Sequence, residues 1–242
     1  MKHYGLIGYP LSHSFSEKYF LHKFYVENID ADYKNIEIKD LHYLKSILKE
    51  KNIAGFNVTI PFKEQMMDMV DSLGENAQQI GAINCVKIKD NKLIGYNTDI
   101  LGFEISLLGF LPKNIKVSAL IFGNGGASKA AQYVLNKRQI DYKIVSRKKE
   151  ENTILYEEID EELLQQHLLL INTTPVGTFP NVNDCLPLPY QFICSKHFAF
   201  DMIYNPALSS FLEKCRAQNA QVKNGLEMLE IQAEESYKIF CS

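Results

Sequence analysis

Short blocks of apolar residues alternate with amphipathic stretches along the first part of the chain, and this alternation predicts strands and helices in turn. Apolar runs of strand length lie at Tyr4 to Ile7, Ile36 to Ile38 and Gly55 to Ile60. Between the first two runs, Glu17 to Asn28 carries large apolar residues near one face of a predicted helix. Asp40 then caps a second predicted helix, whose core-facing stripe consists of Leu41, Leu44, Ile47 and Leu48.

The following stretch predicts one more helix and a hairpin. Pro61 suits the first position of a helix, so we expect a helix from Phe62 to Leu73. The runs Ile83 to Ile88 and Leu93 to Tyr96 flank Asp90-Asn91, a pair typical of a tight turn between antiparallel strands. Strands that alternate with helices in this way indicate an α/β fold.

From Asp99 onward the alternation is more regular. Helices are predicted from Asp99 to Leu108, from a glycine-rich turn to about Arg138, and from Leu226 to Phe240. Apolar runs predict strands at Val117 to Phe122, Asp141 to Ser146, Leu168 to Ile171 and Phe198 to Met202. Continuous apolar strands separated by helices are typical of a parallel sheet that is covered on both faces. We therefore place a domain boundary near Asp99.

Composition narrows the class of protein. The 242 residues are 46% hydrophobic and 23% charged, which is enough apolar material for a core. A formal net charge of −3, without a basic–aromatic stripe, disfavours a nucleic-acid-binding module. The longest aliphatic run, Leu168 to Ile171, is too short to cross a bilayer, and we expect no secretory segment. Five cysteines without a C-x-x-C spacing argue against a disulfide framework or a zinc site, so we expect no metal and a cytoplasmic location.

A glycine-rich turn follows the first strand of the second half. Gly123-Asn124-Gly125-Gly126-Ala127-Ser128 lies between an apolar strand and a predicted helix. Glycines there allow a sharp bend and a close approach of the backbone to a pyrophosphate, and the helix N-terminus supplies amide donors. Ser128 stands where the dinucleotide motif has its third glycine, and a small residue still permits close helix–strand packing. The alternative is a tight turn of any doubly wound domain.

The end of the next strand bears on which dinucleotide this turn would bind. An NAD site needs a carboxylate there for the ribose hydroxyl, but the strand ends in Ser146-Arg147-Lys148-Lys149 and has no acidic residue before Glu150. Cationic side chains at that position can pair with a 2′-phosphate. The sequence therefore favours NADP over NAD, with a solvated basic loop as the alternative.

Three short segments in the first half are rich in polar groups. Ser12-His13-Ser14-Phe15-Ser16 is either a helix cap or a hydroxyl cluster for a carboxylate. Asn57 to Lys63 ends in a lysine that we expect in the first turn of a helix, where the dipole lowers a lysine pKa and favours proton transfer. Asn97-Thr98-Asp99 precedes an apolar helix, so Asp99 alone reads as an N-cap.

Taken together and in order, these segments resemble the shikimate/quinate dehydrogenase family. The motifs that carry the resemblance are Gly8-Tyr9-Pro10 with His13-Ser14-Phe15-Ser16, Asn57-Val58-Thr59-Ile60-Pro61-Phe62-Lys63, Gly81-Ala82-Ile83-Asn84, Gly95-Tyr96-Asn97-Thr98-Asp99, the glycine turn, Ile171 to Gly177, Asp201 to Pro206 and Asn224 to Leu229. The resemblance runs nearly from end to end of the chain.

The resemblance implies an α/β protein of two domains. An N-terminal α/β substrate-binding domain would span residues 1–98 and be joined by a C-terminal helix at 225–242, and a doubly wound, Rossmann-type NADP-binding domain would span 99–224. The implied activity is the interconversion of 3-dehydroshikimate and shikimate in chorismate and aromatic amino acid biosynthesis. NADP would carry the hydride, and a monomer or homodimer is expected.

The resemblance also assigns roles to particular residues. Lys63 and Asp99 would form the proton-transfer pair. The residues expected to bind the substrate are Ser14, Ser16, Thr59, Asn84, Asp99, Tyr204 and Gln232. Those expected to bind the cofactor are Gly123, Asn124, Gly125, Gly126, Ala127, Ser146, Arg147, Lys148, Met202 and Gly225.

The sequence departs from the family pattern after Arg147. Only Lys148 to Asn152 precede the next apolar run at Ile154, so the usual crossover helix is expected to be truncated, together with the usual place for a second arginine. Two alternatives stay open: an NAD-using quinate/shikimate dehydrogenase paralogue and a catalytically silent dinucleotide-binding regulator. Retention of both Lys63 and Asp99 disfavours the silent regulator.

Overall fold

The computed structural model describes residues 1–11 and 14–242, so Ser12 and His13 of the predicted polar segment lie outside the described residues. The chain forms two compact units. The first consists of Met1–Thr98 together with Gln232–Ser242, and the second of Asp99–Ile231. Over the described ranges, every helix is too short or too polar to cross a lipid bilayer.

The first unit is built on a six-stranded sheet flanked by helices. Its strands are β1 (Lys2–Gly8), β2 (Ala31–Glu37), β3 (Ile53–Val58), β4 (Ser72–Leu73), β5 (Cys85–Lys89) and β6 (Lys92–Tyr96). Its first helices are α1 (Phe15–Val26), α2 (Leu44–Glu50) and α3 (Glu75–Ile80). The strand order is β2-β1-β3-β5-β6-β4, with β2, β1 and β3 parallel and β5 antiparallel to both of its neighbours.

The core of this unit follows the two-residue period of its central strand. Tyr4 and Leu6 of β1 belong to one apolar cluster together with Phe20 of α1. Ile7 belongs to a different cluster, which includes Leu44 of α2. Alternate side chains of β1 are thus buried against different helices, which explains the nearly continuous apolar run in the sequence.

The predicted hairpin is confirmed. Strands β5 and β6 pair antiparallel from Cys85 opposite Tyr96 to Lys89 opposite Lys92. Asp90 and Asn91 form the turn with φ of 51° and 59°. A two-residue turn with two positive φ angles matches the right-handed twist of the strands, and aspartate and asparagine tolerate that conformation.

The predicted helix from Phe62 to Leu73 is wrong. This stretch instead forms turns, a short 3₁₀ helix over Gln65–Asp68 and strand β4. An α-helix would require the Lys63 carbonyl to accept a hydrogen bond from the Met67 N–H. The Lys63 carbonyl accepts instead from the Ile83 N–H at 2.8 Å. A long-range backbone hydrogen bond therefore replaces the local one that the sequence pattern favoured.

The second unit is built on another six-stranded sheet. Its strands are β7 (Ala119–Phe122), β8 (Tyr142–Ser146), β9 (Thr153–Leu155), β10 (Leu169–Asn172), β11 (Phe198–Asp201) and β12 (Gln221–Lys223). Its helices are α4 (Asp99–Phe110), α5 (Gly126–Lys137), α6 (Glu161–Gln166), α7 (Ser210–Ala217) and α8 (Leu226–Cys241), and residues of α8 from Gln232 onward belong to the first unit.

All neighbouring strands of this sheet are parallel, in the order β12-β11-β10-β7-β8-β9. The chain therefore starts at β7, winds outward through β8 and β9, and returns to build the other half from β10. This is the doubly wound order in which dinucleotides bind at the point where the strand order reverses, here between β7 and β10. The predicted fold class is confirmed.

The connection from β8 to β9 is as short as expected. Strand β9 follows Ser146 after residues 147–152 and pairs in parallel with the last three residues of β8. Parallel strands normally need a crossover of a dozen residues or more. The short connection suffices here because β9 is short and pairs only with the end of β8, so the chain returns over a small distance.

Candidate functional site

The serines expected to bind a carboxylate lie at the start of α1. Ser14 caps this helix, and its side chain accepts a hydrogen bond from the Ser16 N–H at 3.2 Å. Ser16 is buried on the first turn. Thr59 follows β3 directly, and its N–H donates to the Ile7 carbonyl of β1 at 2.9 Å. The serine segment and Thr59 therefore leave the sheet at the same edge, where the carboxyl ends of parallel strands meet.

Asn84 and Gln232, two residues expected to bind substrate, lie in contact. The Asn84 Nδ2 donates to Gln232 Oε1 at 3.4 Å, and their residues are only 2% and 8% exposed. Thr98 joins them: its N–H donates to Asn84 Oδ1 at 2.7 Å, and its hydroxyl accepts from Asn84 Nδ2 at 3.0 Å. Thr98 was not among the predicted site residues. The sequence feature that could have pointed to Thr98 is its position directly before Asp99.

Lys63 is half-buried in the turn after β3. The expectation that a helix dipole acts on its ammonium is wrong, because no α-helix begins at this point of the described chain. Its backbone is instead fixed by the hydrogen bond from Ile83, the residue before Asn84. Lys63 and Asn84 are thus held by the same pair of segments.

Asp99 and Tyr204 belong to the second unit. Asp99 is the first residue of α4 and is 7% exposed, so a carboxylate is buried at a helix N-terminus, where the macrodipole favours negative charge. Tyr204 is half-buried and follows β11. The pairing of Lys63 with Asp99 stays a prediction.

The glycine turn has the local geometry that the sequence predicted. Gly123 has φ of 108°, and a Cβ there would lie 2.8 Å from Thr173 Oγ1, so only glycine fits. Gly125 caps α5 in an extended conformation, and nothing lies within 4 Å of the place its Cβ would take. Ser128 is fully buried on α5, as expected for a small residue that lets the helix pack closely. The turn therefore leaves open space beside the N-terminus of α5.

The basic residues after β8 are exposed, but they differ in their partners. Lys149 forms an ion pair with Glu158 at 2.7 Å. Arg147 lies near Tyr156: burial raises the pKa of the Tyr156 phenol to about 12, against the opposing charge of Arg147. The backbone N–H of Lys148 donates to Ser146 Oγ at 3.3 Å. Arg147 and Lys148 therefore extend into solvent as cations at the end of β8.

A contact of the glycine turn with the acidic residue Glu150 was not predicted from the sequence. Asn124 Nδ2 donates to Glu150 Oε2 at 2.7 Å, which links the glycine turn to the loop after β8. The two segments are separated in sequence by α5 and β8, so local patterns do not predict the contact.

Met202 and Gly225, both expected beside a nicotinamide, lie against one another. A Cβ at Gly225 would lie 2.6 Å from the Met202 carbonyl carbon, and the Gly225 N–H donates to the Ile203 carbonyl at 2.9 Å. The two backbones approach too closely for any side chain at position 225. The structure thus brings the predicted pair together in the second unit.

A buried carboxyl group lies at the end of β11. Asp201 accepts hydrogen bonds from Asn172 Nδ2 and the Ile203 N–H, both at 3.0 Å, and from the Ser209 hydroxyl. We call Asp201, Asn172, Ile203 and Ser209 the Asp201 cluster. Burial raises the pKa of Asp201 to about 7, against the opposing effect of these hydrogen bonds. The sequence signal was an acidic residue that ends the apolar run Phe198 to Phe200.

Comparison with protein families gives one match, in the first unit. The family model of the shikimate dehydrogenase substrate-binding domain matches residues 6–86. The match begins in β1, ends in β5, and includes Ser14, Thr59, Lys63 and Asn84.

Similar proteins cover the whole chain. The shikimate dehydrogenase (NADP(+)) of Clostridium beijerinckii is 38% identical over 99% of this chain and 92% of its own length. That of Caldicellulosiruptor saccharolyticus is 36% identical over 99% and 92%.

Solved structures agree with this similarity. Shikimate dehydrogenase 1 from Peptoclostridium difficile has a TM-score of 0.85 at 36% identity and covers 100% of this chain and 92% of its own. Shikimate 5-dehydrogenase from Thermus thermophilus, solved with NADP(H) and shikimate, has a TM-score of 0.87 at 29% identity and covers 99% and 93%.

Proposed function

We infer that this chain, which belongs to the shikimate dehydrogenase family, is an NADP-dependent oxidoreductase that interconverts 3-dehydroshikimate and shikimate. The observation that carries this inference is the extent of the similarity: NADP-dependent relatives match 99% of the chain, and so both of its units. A match to one unit alone would support binding of a substrate or of a nucleotide, but not the reaction that needs both.

We assign substrate recognition mainly to the first unit. Ser14 and Ser16 donate hydroxyl hydrogen bonds to the substrate carboxylate at the N-terminus of α1, where the helix dipole also favours an anion. The ring hydroxyls bind Thr59, Asn84, Asp99 and Gln232, with Tyr204 nearby. The contact between Asn84 and Gln232 supports this assignment, because two buried amides side by side offer the donors and acceptors that hydroxyls need.

We propose that Lys63 and Asp99 are the catalytic pair. As the substrate carbonyl is reduced, its oxygen develops negative charge, and the Lys63 ammonium stabilises that charge and donates the proton. The Asp99 carboxylate orients the ammonium. In the reverse direction the same pair removes the hydroxyl proton.

The second unit fits a dinucleotide cofactor. The open space beside Gly125 leaves room for a pyrophosphate to approach the backbone, and α5 provides amide donors. We propose that this part of the cofactor is held by Gly123, Asn124, Gly125, Gly126 and Ala127. Met202 and Gly225 line the nicotinamide side, and NADP when bound supplies the hydride.

The end of β8 is assigned to the 2′-phosphate. Ser146, Arg147 and Lys148 present a hydroxyl and two cations there, and the connection of residues 147–152 leaves no crossover helix to supply a further arginine. Arg147 therefore takes the main role in distinguishing NADP from NAD.

A spectrophotometric assay at 340 nm with shikimate and each nicotinamide nucleotide tests the proposal. We expect turnover with shikimate and a higher kcat/KM with NADP than with NAD. Equal or better use of NAD, or preference for quinate, would favour the NAD-using quinate/shikimate paralogue. No turnover with either substrate would favour the silent regulator. The cytoplasmic location and the monomeric or homodimeric state also stay proposals.

A further inference from the structure

Buried hydroxyl and amide groups of the first unit form one continuous chain of hydrogen bonds. We call these hydrogen-bonded groups the Ser236 network; its members are Tyr33, Asn57, Asn84, Thr98, Gln232 and Ser236. Each of them is at least nine-tenths buried. The members come from β2, β3, the segments before β5 and after β6, and α8, so the network joins parts of the unit that are far apart in sequence.

Ser236 is the centre of this network. Its hydroxyl donates to the Gln232 carbonyl at 2.8 Å, the i−4 position of the same helix. Because a hydroxyl has one proton, Ser236 Oγ must act as acceptor in its other contacts. It accepts from Asn57 Nδ2 at 2.8 Å and from the Thr98 hydroxyl at 3.0 Å. The Asn57 Oδ1 in turn accepts from the Tyr33 hydroxyl at 2.8 Å.

These directions determine how the two amides of the site are oriented. The Thr98 hydroxyl has three acceptors within reach: Ser236 Oγ at 3.0 Å, Asn84 Oδ1 at 3.2 Å and Gln232 Oε1 at 3.3 Å. Ser236 is the nearest of them, and with the proton directed there the Thr98 oxygen accepts from Asn84 Nδ2 at 3.0 Å. Asn84 Oδ1 faces the Thr98 N–H, so the Asn84 amide has one favourable orientation. Its second Nδ2 proton points to Gln232 Oε1. Gln232 therefore has its acceptor oxygen toward Asn84 and directs its Nε2 donors elsewhere.

We propose that Ser236 and Asn57 are positioning residues that fix the amide orientations of Asn84 and Gln232, so that Gln232 meets the substrate as a hydrogen-bond donor. This deepens the proposed function and rests on it. Ser236 and Asn57 act only through their neighbours. They set which atom donates and which accepts in each hydrogen bond of the network. The site therefore favours a substrate whose ring hydroxyl accepts a hydrogen bond from Gln232.

The first test is Ser236→Ala, which removes one oxygen and little volume. We expect the shikimate KM to rise about tenfold, because the Thr98 hydroxyl, which contacts both amides, loses its partner on α8, while kcat stays within about threefold. The Kd for NADPH, measured by nucleotide fluorescence, should not change. Ser106→Ala is the matched control: Ser106 is also a fully buried hydroxyl, bonded to Glu227 in the second unit, and its loss should leave the shikimate KM unchanged.

Coupling distinguishes positioning from a general loss of packing. If Ser236 acts through Gln232 and Asn84, then Ser236→Ala combined with Gln232→Ala should raise the shikimate KM by clearly less than the product of the two single effects. Additive effects of the two substitutions would overturn the proposal.

A second pair of variants covers the case in which Ser236→Ala does not fold. Thr98→Val keeps the shape of the side chain but removes the hydroxyl, and we expect the same rise in KM. Thr98→Ser keeps the hydroxyl and should restore a near-normal KM. If the two Thr98 variants have equal KM values and the wild-type protein turns over shikimate, the positioning proposal is overturned and the proposed function is not. Absence of wild-type turnover would overturn the proposed function itself, and this inference with it.

Discussion

The two units each bury a polar cluster, but the clusters differ in charge. The Ser236 network consists of hydroxyls and amides, and its one titratable member, Tyr33, has a pKa that burial raises well above the ordinary value. The Asp201 cluster is centred on a carboxyl group whose pKa burial raises to about 7. The first cluster is therefore neutral at any physiological pH, whereas the second changes charge near neutrality.

The two clusters also support different parts of the proposed site. The Ser236 network orients the amides that we assign to the substrate. In the second unit, Asn172 of the Asp201 cluster accepts hydrogen bonds from the N–H and the hydroxyl of Thr174, at 2.9 and 2.7 Å. Thr174 packs where a Cβ at Gly123 would lie. In the proposed site, neutral amides and hydroxyls thus orient the substrate, whereas the glycine turn packs on a cluster whose carboxyl group titrates.

The largest effect on turnover is expected from a substitution in the first unit that removes the proton donor but leaves nucleotide binding by the second unit intact. Lys63→Ala should lower kcat by about a thousandfold, because the proton donor is lost, and leave the shikimate KM within a few-fold. The NADPH Kd should be unchanged. Steady-state kinetics and nucleotide fluorescence measure both. Lys49→Ala, an exposed lysine of the same unit, is the control, and a near-normal kcat for Lys63→Ala would refute its role.

The next prediction concerns pH, which should change the stability of the second unit through Asp201 but not that of the Ser236 network. The pKa of Asp201 is higher in the folded state than in the unfolded chain, so the folded state favours its protonated form. The stability it contributes is complete below about pH 4 and is lost as the pH rises through about 7. Over that range we expect the Asp201 carboxyl to contribute a loss of roughly 3–4 kcal/mol in the second unit. His167 of the same unit acts in the opposite direction, because burial lowers its pKa.

Hydrogen exchange, read separately for residues 57–98 and 172–212, measures this difference. Amides of the second range should lose protection between pH 4 and 7, after correction for intrinsic exchange, and those of the first should not. The nearby Tyr190 and Cys215 stay neutral in this range, since burial raises the pKa of each. Asp201→Asn should abolish this loss of protection. A dependence that persists in this variant would assign it to another group.

Two glycines of the second unit provide a matched pair with a smaller effect. Gly225→Ala should destabilise the unit by about 3 kcal/mol, because the new Cβ would overlap the Met202 backbone. Gly125→Ala should change stability by less than about 0.5 kcal/mol, since the space around it is open, but weaken NADPH binding. Urea unfolding and nucleotide titration separate the two results. Unchanged NADPH affinity in Gly125→Ala would contradict the assignment of the glycine turn.

The smallest effect is expected at the end of β8. Arg147→Ala should raise the KM for NADP about tenfold and leave NAD use nearly unchanged, because only NADP carries the 2′-phosphate. Lys149→Ala should change neither value much, since Lys149 pairs with Glu158. Kinetics with both nucleotides compare the variants, and an equal loss for both would make Arg147 structural.

The parts of the fold that local patterns determine were predictable. The Asp90-Asn91 hairpin, the glycine turn and the parallel strands of the second unit all follow from residue types at short spacing. The helix expected from Phe62 failed for the opposite reason: the hydrogen bond from Ile83 to the Lys63 carbonyl joins segments that are distant in sequence. The contact of Thr98 with Asn84 and Gln232 escaped prediction on the same ground.

The sequence by itself determined the class of the two sheets, the glycine turn with the basic strand end after it, and the residue types that proton transfer needs. Only the tertiary structure decided which distant residues meet: Ser236 with Asn57 and Thr98, Asp201 with Asn172, and the backbone of Met202 with that of Gly225. The physical reason is that apolar periodicity and turn chemistry act over a few residues. The direction of a buried hydrogen bond depends instead on which distant strands and helices pack together and in which register.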